Sequence, residues 1–141
     1  SATGGLIAHL ITNVPGSSAY FKGSVTAYSN EVKVKVAGVN EATLKRYGAV
    51  SHQVAEEMAA GGRRLLSADI CLSTTGIAGP GGATTTKPVG LFYIGLSFPG
   101  GTYSRKHLFA SSREQNKLSG AQAALGWLKE RLLSLTPGQP D

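Results

Sequence analysis

A serine followed closely by two adjacent glycines opens the sequence, in the segment Ser1–Gly5. The apolar residues after it have helical spacing and predict a helix over Gly4–Asn13, capped by Ser1 or Thr3. Unpaired N–H groups at a helix start can hold a phosphate or an oxyanion, and glycines let a ligand approach the backbone closely. These five residues alone favour a helix cap, with a serine nucleophile as the alternative.

A lysine near a tyrosine forms a second candidate group. Tyr28 ends a predicted strand, Phe21–Tyr28, and Asn30 is the predicted N-cap of a helix over Glu31–Ala37. Lys33 then falls in the first helical turn, where the helix dipole disfavours a cation and lowers the lysine pKa, and partial burial would lower it further. A neutral lysine is a competent general base. This segment alone favours an ordinary surface lysine, and pairing with Glu31 would restore the pKa.

The glycine-rich loop Gly76–Gly82 is the third candidate. It follows a predicted buried strand, Ala68–Thr75, and ligands of α/β proteins bind beyond the carboxyl ends of strands. Neither a P-loop nor a dinucleotide-binding motif has this glycine spacing. A plain flexible loop is the alternative. The candidate substrate-binding residues are Thr3, Gly4, Gly5, Thr75, Gly76, Gly79 and Gly81.

Histidines and acidic residues give no competing site. No carboxylate is placed to orient His9, His52 or His107, and no pair has metal-ligand spacing. The eight acidic residues show no pairing typical of a glycosidase or a two-metal enzyme. The sequence therefore predicts no metal site.

Composition narrows the class of protein further. The 141 residues fit one domain, and a single cysteine excludes a disulfide framework within the chain. The sequence shows no signal peptide and no apolar run of transmembrane length, which predicts a cytoplasmic protein without membrane contact. The net charge of +6 comes from scattered basic residues. This pattern does not support nucleic-acid binding and suits a small phosphorylated substrate.

The remaining segments predict a three-layer α/β/α sandwich with a mixed sheet. A hairpin is predicted from Val89–Phe98 and Thr102–Phe109, around the turn at Pro99. The other predicted helices are Glu41–Tyr47 capped by Asn40, His52–Leu66 capped by Ser51, and Ser112–Leu135. The inner face predicted for the last helix is Leu118, Ala121, Leu125, Leu128, Leu132 and Leu135. We expect one domain over 1–135 and a disordered tail over 136–141.

Several of these segments occur together, in this order, in a known family. The matching segments are Ser1–Gly5, Pro15–Ser18, Tyr28–Asn30 with Lys33, Gly48–Ser51, Thr75–Pro80 and Lys87–Gly90. Over residues 1 to about 133 the chain resembles the CinA C-terminal family, which includes the PncC-type nicotinamide mononucleotide deamidases.

The resemblance implies an amidohydrolase that converts nicotinamide mononucleotide and water to nicotinate mononucleotide and ammonia, in bacterial pyridine nucleotide salvage. Ser1 is then similar to the family's nucleophile, Tyr28 and Lys33 to its assisting residues, and no metal or organic cofactor is implied. Family members usually carry a further helix and strand ahead of this serine, and their loop at Gly82–Lys87 more often contains Gly or Pro.

Two other functions remain open on the sequence. One is an N-terminal nucleophile hydrolase that uses the amine of Ser1 as its base. The other is a non-catalytic nucleotide-binding module of a competence- or damage-inducible protein; RNA binding ranks third. The oligomeric state is left open, with a homo-oligomer among the alternatives.

Overall fold

The computed structural model describes residues 1–135, and the tail predicted over 136–141 lies outside them. The α-helices are α1 (Leu6–Thr12), α2 (Asn30–Lys35), α3 (Glu41–Tyr47), α4 (His52–Leu66) and α5 (Arg113–Leu133), with a short 3-10 turn at Ser17–Ala19. The strands are β1 (Cys71–Gly76), β2 (Leu91–Phe98) and β3 (Gly101–Leu108). None of the helices within these residues is long and apolar enough to span a membrane.

The three strands form one antiparallel sheet in the order β1-β2-β3. Gly76 pairs with Phe92 between the first two strands, and Leu91 pairs with Leu108 between the last two. The hairpin predicted around Pro99 is therefore confirmed, with β3 at the edge of the described sheet. Every second residue along a strand points to the same face, so the sheet offers two faces to the helices.

Helices cover both faces of the sheet. On one face, Ser73 Oγ of β1 donates a hydrogen bond of 2.5 Å to the Ala55 carbonyl of α4. On the other, α5 approaches so closely that a Cβ on Gly120 would lie 2.8 Å from the Phe92 ring. Helix α1 packs against α5. The three-layer α/β/α arrangement is therefore confirmed.

The close approach of α5 changes which of its residues are buried. The buried face consists of Asn116, Gly120, Ala121 and Ala124. Of the predicted inner face, only Ala121 is fully buried, and Leu132 and Leu135 are exposed. The predicted inner face was thus wrong at Leu132 and Leu135, and its other leucines are only half-buried, because small residues let the helix axis approach the sheet and leave the larger side chains at its flanks.

The predicted strand Phe21–Tyr28 does not form. Its residues belong to no ladder of the described sheet, and the Tyr28 N–H donates locally to the Thr26 carbonyl at 3.1 Å. Aromatic and β-branched residues favour a strand only where a neighbouring strand supplies hydrogen-bond partners. The parallel pairing that a mixed sheet requires therefore does not occur within residues 1–135.

Candidate active site

The segment Ser1–Gly5 is fixed to the end of β1. The Ser1 backbone nitrogen donates to the Thr74 carbonyl at 2.5 Å, and the buried Thr3 and Thr74 hydroxyls are 3.1 Å apart. Helix α1 has Gly5 at its N-cap and no side-chain cap hydrogen bond, so the predicted cap by Ser1 or Thr3 was wrong. The Ser1 hydroxyl is therefore not used as a helix cap.

The two glycines make this compact turn feasible. Gly4 and Gly5 have φ angles of +61° and +89°, which L side chains rarely adopt. A Cβ on Gly5 would lie 3.4 Å from Thr26 Oγ1. The turn therefore places Thr26, two residues before Tyr28, against the segment Ser1–Gly5, which we call the serine segment.

Lys33 is buried, with only 4% of its surface exposed. Ser29, and not Asn30, is the N-cap of α2, and its side chain accepts a hydrogen bond from Val32 N. Lys33 consequently lies in the last turn of a six-residue helix, and the predicted dipole effect of the first turn was wrong. The pKa of Lys33 is nevertheless lowered from its usual value, because burial penalises the charged amine.

The contacts of Lys33 involve neutral oxygens. Its Nζ donates to the Tyr28 carbonyl at 2.8 Å and lies 3.5 Å from Asn30 Oδ1. Glu31 forms an exposed ion pair with Lys35 at 2.6 Å, and no described carboxylate pairs with Lys33. A neutral amine has two N–H donors and one lone pair. The two oxygens can take both donors, which leaves the lone pair for a proton.

Arg113 joins two predicted parts of the site. Its Nη1 donates to the Gly79 carbonyl at 2.8 Å, and its Nη2 donates to the Tyr28 hydroxyl at 3.3 Å. The Tyr28 side chain is 65% exposed. Arg113 was not among the predicted site residues. The sequence feature that could have indicated it is a cation at the first position of a helix, where the dipole disfavours positive charge.

The loop after β1 is held from inside by α5. Asn116 is fully buried, and its Nδ2 donates to the Ala78 carbonyl at 3.0 Å. The Thr75 hydroxyl donates to the Ala49 carbonyl at 2.8 Å, so this donor joins β1 to the segment before α4. A Cβ on Gly76 would meet the Phe92 ring at 2.6 Å, whereas a Cβ on Gly81 would meet open space.

The sequence itself decides the family. The sequence model of the CinA C-terminal domain matches residues 1–132. The chain belongs to the CinA C-terminal domain family.

Relatives and solved structures agree with this assignment. A CinA-like protein of Desulforapulum autotrophicum is 49% identical over 134 residues, which cover 94% of this chain and 32% of the relative. The competence damage-inducible protein A of Klebsiella pneumoniae superposes with a TM-score of 0.92 at 31% identity, over 96% of this chain and 84% of that one. A competence/damage-inducible protein of Agrobacterium tumefaciens gives 0.89 at 36% identity, over 92% and 80%. The chain spans about a third of the length of the curated relatives it matches.

This CinA domain gathers most of the predicted site residues on one side. Ser1 and Thr3 contact Thr74, and Tyr28 contacts Arg113, which also holds the Gly79 carbonyl of the loop. Within residues 1–135, no hydrogen bond joins Ser1 Oγ to Lys33 Nζ or Tyr28 Oη.

His52 and His107, which the sequence did not favour as catalytic bases, have other described partners. His52 Nδ1 is 2.7 Å from Ser104 Oγ of β3, and His107 stacks on Phe109. Residues 1–135 contain no group of three or more His, Cys, Asp or Glu side chains suited to a metal ion.

Proposed function

We propose that this domain is an amidohydrolase that deamidates nicotinamide mononucleotide to nicotinate mononucleotide and ammonia. The observation that carries the proposal is a buried lysine without a carboxylate partner, in electrostatic reach of the serine segment. We further propose that the reaction belongs to pyridine nucleotide salvage in the bacterial cytoplasm.

The first step forms an ester on Ser1. Its Oγ attacks the carboxamide carbon of the pyridine ring while Lys33 Nζ accepts the hydroxyl proton, directly or through the Tyr28 hydroxyl. The lowered pKa of Lys33 supports this role, because a base must be neutral before it can accept the proton. The protonated lysine then returns the proton to the nitrogen that leaves as ammonia.

Backbone N–H groups of the serine segment are suited to the developing oxyanion. The Gly4 N–H is used in a turn hydrogen bond of 3.1 Å to the Ser1 carbonyl. The N–H groups of Thr3 and Gly5 have no backbone partner within residues 1–135, so we assign the oxyanion contacts to them. One such donor is typically worth about 3–4 kcal/mol in the transition state.

Hydrolysis of the ester completes the cycle. Water attacks the acyl carbon, Lys33 accepts a proton from the water, and the Ser1 oxygen leaves with that proton to release nicotinate mononucleotide. We propose that the loop residues Gly76, Gly79 and Gly81, with Thr75, contact the substrate. The Arg113 contacts support this placement, since they tie Gly79 to Tyr28.

Release of ammonia from nicotinamide mononucleotide tests the proposal. The wild-type chain should turn over, and Ser1→Ala should lower kcat/KM by at least about 10³-fold, as for other serine nucleophiles. Ser24→Ala is the matched control, because Ser24 is an exposed serine with no described side-chain hydrogen bond. Equal activity of Ser1→Ala and wild type would remove Ser1 from the mechanism.

A non-catalytic nucleotide-binding module is the second candidate. The observation in its favour is that Ser1 Oγ has no hydrogen bond to Lys33 Nζ or Tyr28 Oη within the described residues. Saturable binding of nicotinamide mononucleotide, with no ammonia released over hours, would decide for the module and against the hydrolase.

A further inference from the structure

Lys117, on the second turn of α5, is a cation with no task in the reaction scheme. Its Nζ and Cε atoms lie 3.5 Å and 3.8 Å from the point that a Cβ on Gly4 would occupy. The side chain is half-buried, and it has no hydrogen bond or ion pair within residues 1–135. An ammonium group is thus held over the serine segment without a protein partner.

Lys117 and Arg113 form a pair of cations on α5. Arg113 precedes Lys117 by four residues, so both side chains leave α5 on the same side. Neither side chain pairs with a carboxylate within residues 1–135. An anionic ligand would neutralise this excess charge where the protein does not.

We propose that Lys117 binds the phosphate of a mononucleotide whose carboxamide lies at Ser1, and so sets a preference for phosphorylated over unphosphorylated substrates. This inference rests on the proposed function. The Gly4 N–H donates to the Ser1 carbonyl at 3.1 Å, so Lys117 lies near the serine, and its flexible four-carbon stem can reach the phosphate of a mononucleotide held there. Lysine binds phosphate as a point charge, so a flexible ammonium over a glycine is sufficient.

The test compares two substrates that differ only in the phosphate. Ammonia release from nicotinamide mononucleotide and from nicotinamide riboside is measured for wild type, Lys117→Met and Lys117→Arg. Lys129→Met is the matched control, because Lys129 is an exposed lysine three turns further along α5. Dissociation constants of both compounds are measured by calorimetry on the same proteins.

Lys117→Met should raise KM and the dissociation constant for the mononucleotide by about 10- to 100-fold, the effect of losing one charge-assisted contact. Values for the riboside should stay within about twofold. Lys117→Arg should recover most of the affinity, and Lys129→Met should behave as wild type. Equal losses on both compounds, or no loss on either, would overturn the assignment.

Calorimetry separates failure of this inference from failure of the proposed function. If no protein releases ammonia, a phosphate-dependent affinity that Lys117→Met abolishes still supports Lys117 as the phosphate ligand, while the amidohydrolase is rejected. Wild-type protein that binds the mononucleotide no better than the riboside would reject the inference, whether or not ammonia is released.

Discussion

The two edges of the sheet hold their cations in different ways. Beside β1, where Thr74 anchors Ser1, Lys33 is buried and donates to the neutral Tyr28 carbonyl. On β3, at the opposite edge, Arg105 is exposed, its Nη2 donates to Glu130 Oε2 at 3.0 Å, and its Cζ lies 4.4 Å from the Trp127 ring centroid.

This difference separates a proton acceptor from permanently charged groups. A cation with a carboxylate and an aromatic face keeps its charge at little cost, because both partners favour the charged form. A buried amine that contacts only neutral oxygens has a lowered pKa, because burial disfavours its charged form. The buried amine without a described carboxylate partner is therefore the cation suited to proton transfer.

The largest expected effect is the loss of activity in Lys33→Met. Removing the base should lower kcat for ammonia release by about 10²- to 10⁴-fold, the usual contribution of a positioned general base. Lys35→Met, two residues away and exposed, should retain wild-type kcat because Lys35 contacts only Glu31. A similar loss in both variants would show that α2 acts through its fold and not through the buried amine.

Replacing Asn116 should produce the next largest effect, on stability. Asn116→Ala removes the side chain that binds the Ala78 and Ser111 carbonyls and leaves buried polar groups unpaired. We expect a loss of about 2 kcal/mol in the free energy of unfolding, measured by urea denaturation. A loss below about 0.5 kcal/mol would show that α5 does not anchor the loop.

The stability of the wild type should depend on pH through Lys33. Its pKa is lower in the folded protein than the ordinary 10.5, so the unfolded chain binds more protons between the two values. The free energy of unfolding should therefore rise with pH over that window, and Lys33→Met should lack this rise relative to wild type. Parallel pH curves for the two proteins would contradict a lowered pKa.

The smallest effect is expected at the β3 edge of the sheet. Glu130→Gln removes the exposed ion pair with Arg105, and such pairs contribute about 0.2–1 kcal/mol, which salt screens. Unfolding in low and high salt measures this contribution, and ammonia release should be unchanged. Any loss of activity in Glu130→Gln would contradict the distinction between the two edges.

Local sequence signals predicted much of the fold. Ser51 caps α4 through its own hydroxyl as predicted, and the turn at Pro99 joins the predicted hairpin. These features depend on a few neighbouring residues, whose chemistry is visible in the sequence. A lowered pKa of Lys33 was also predicted, from the dipole of α2 and from partial burial, and burial is the cause that the structure supports.

Features that depend on distant partners could not be predicted. The hydrogen bond from Ser1 to Thr74 joins residues 73 positions apart, and that from Arg113 to Tyr28 joins residues 85 positions apart. The segment Phe21–Tyr28 has strand-like residues but no described ladder partner. A single sequence shows the residue types at such positions but not which distant groups they meet.

The account's central claim is that Lys33 is an amine with a lowered pKa. Its most direct test is NMR titration of the lysine side chains in the folded wild-type chain, with Lys33 assigned from the Lys33→Met spectrum. The account predicts that Lys33 loses its proton below the ordinary lysine pKa of 10.5. A titration midpoint at or above that value would contradict it.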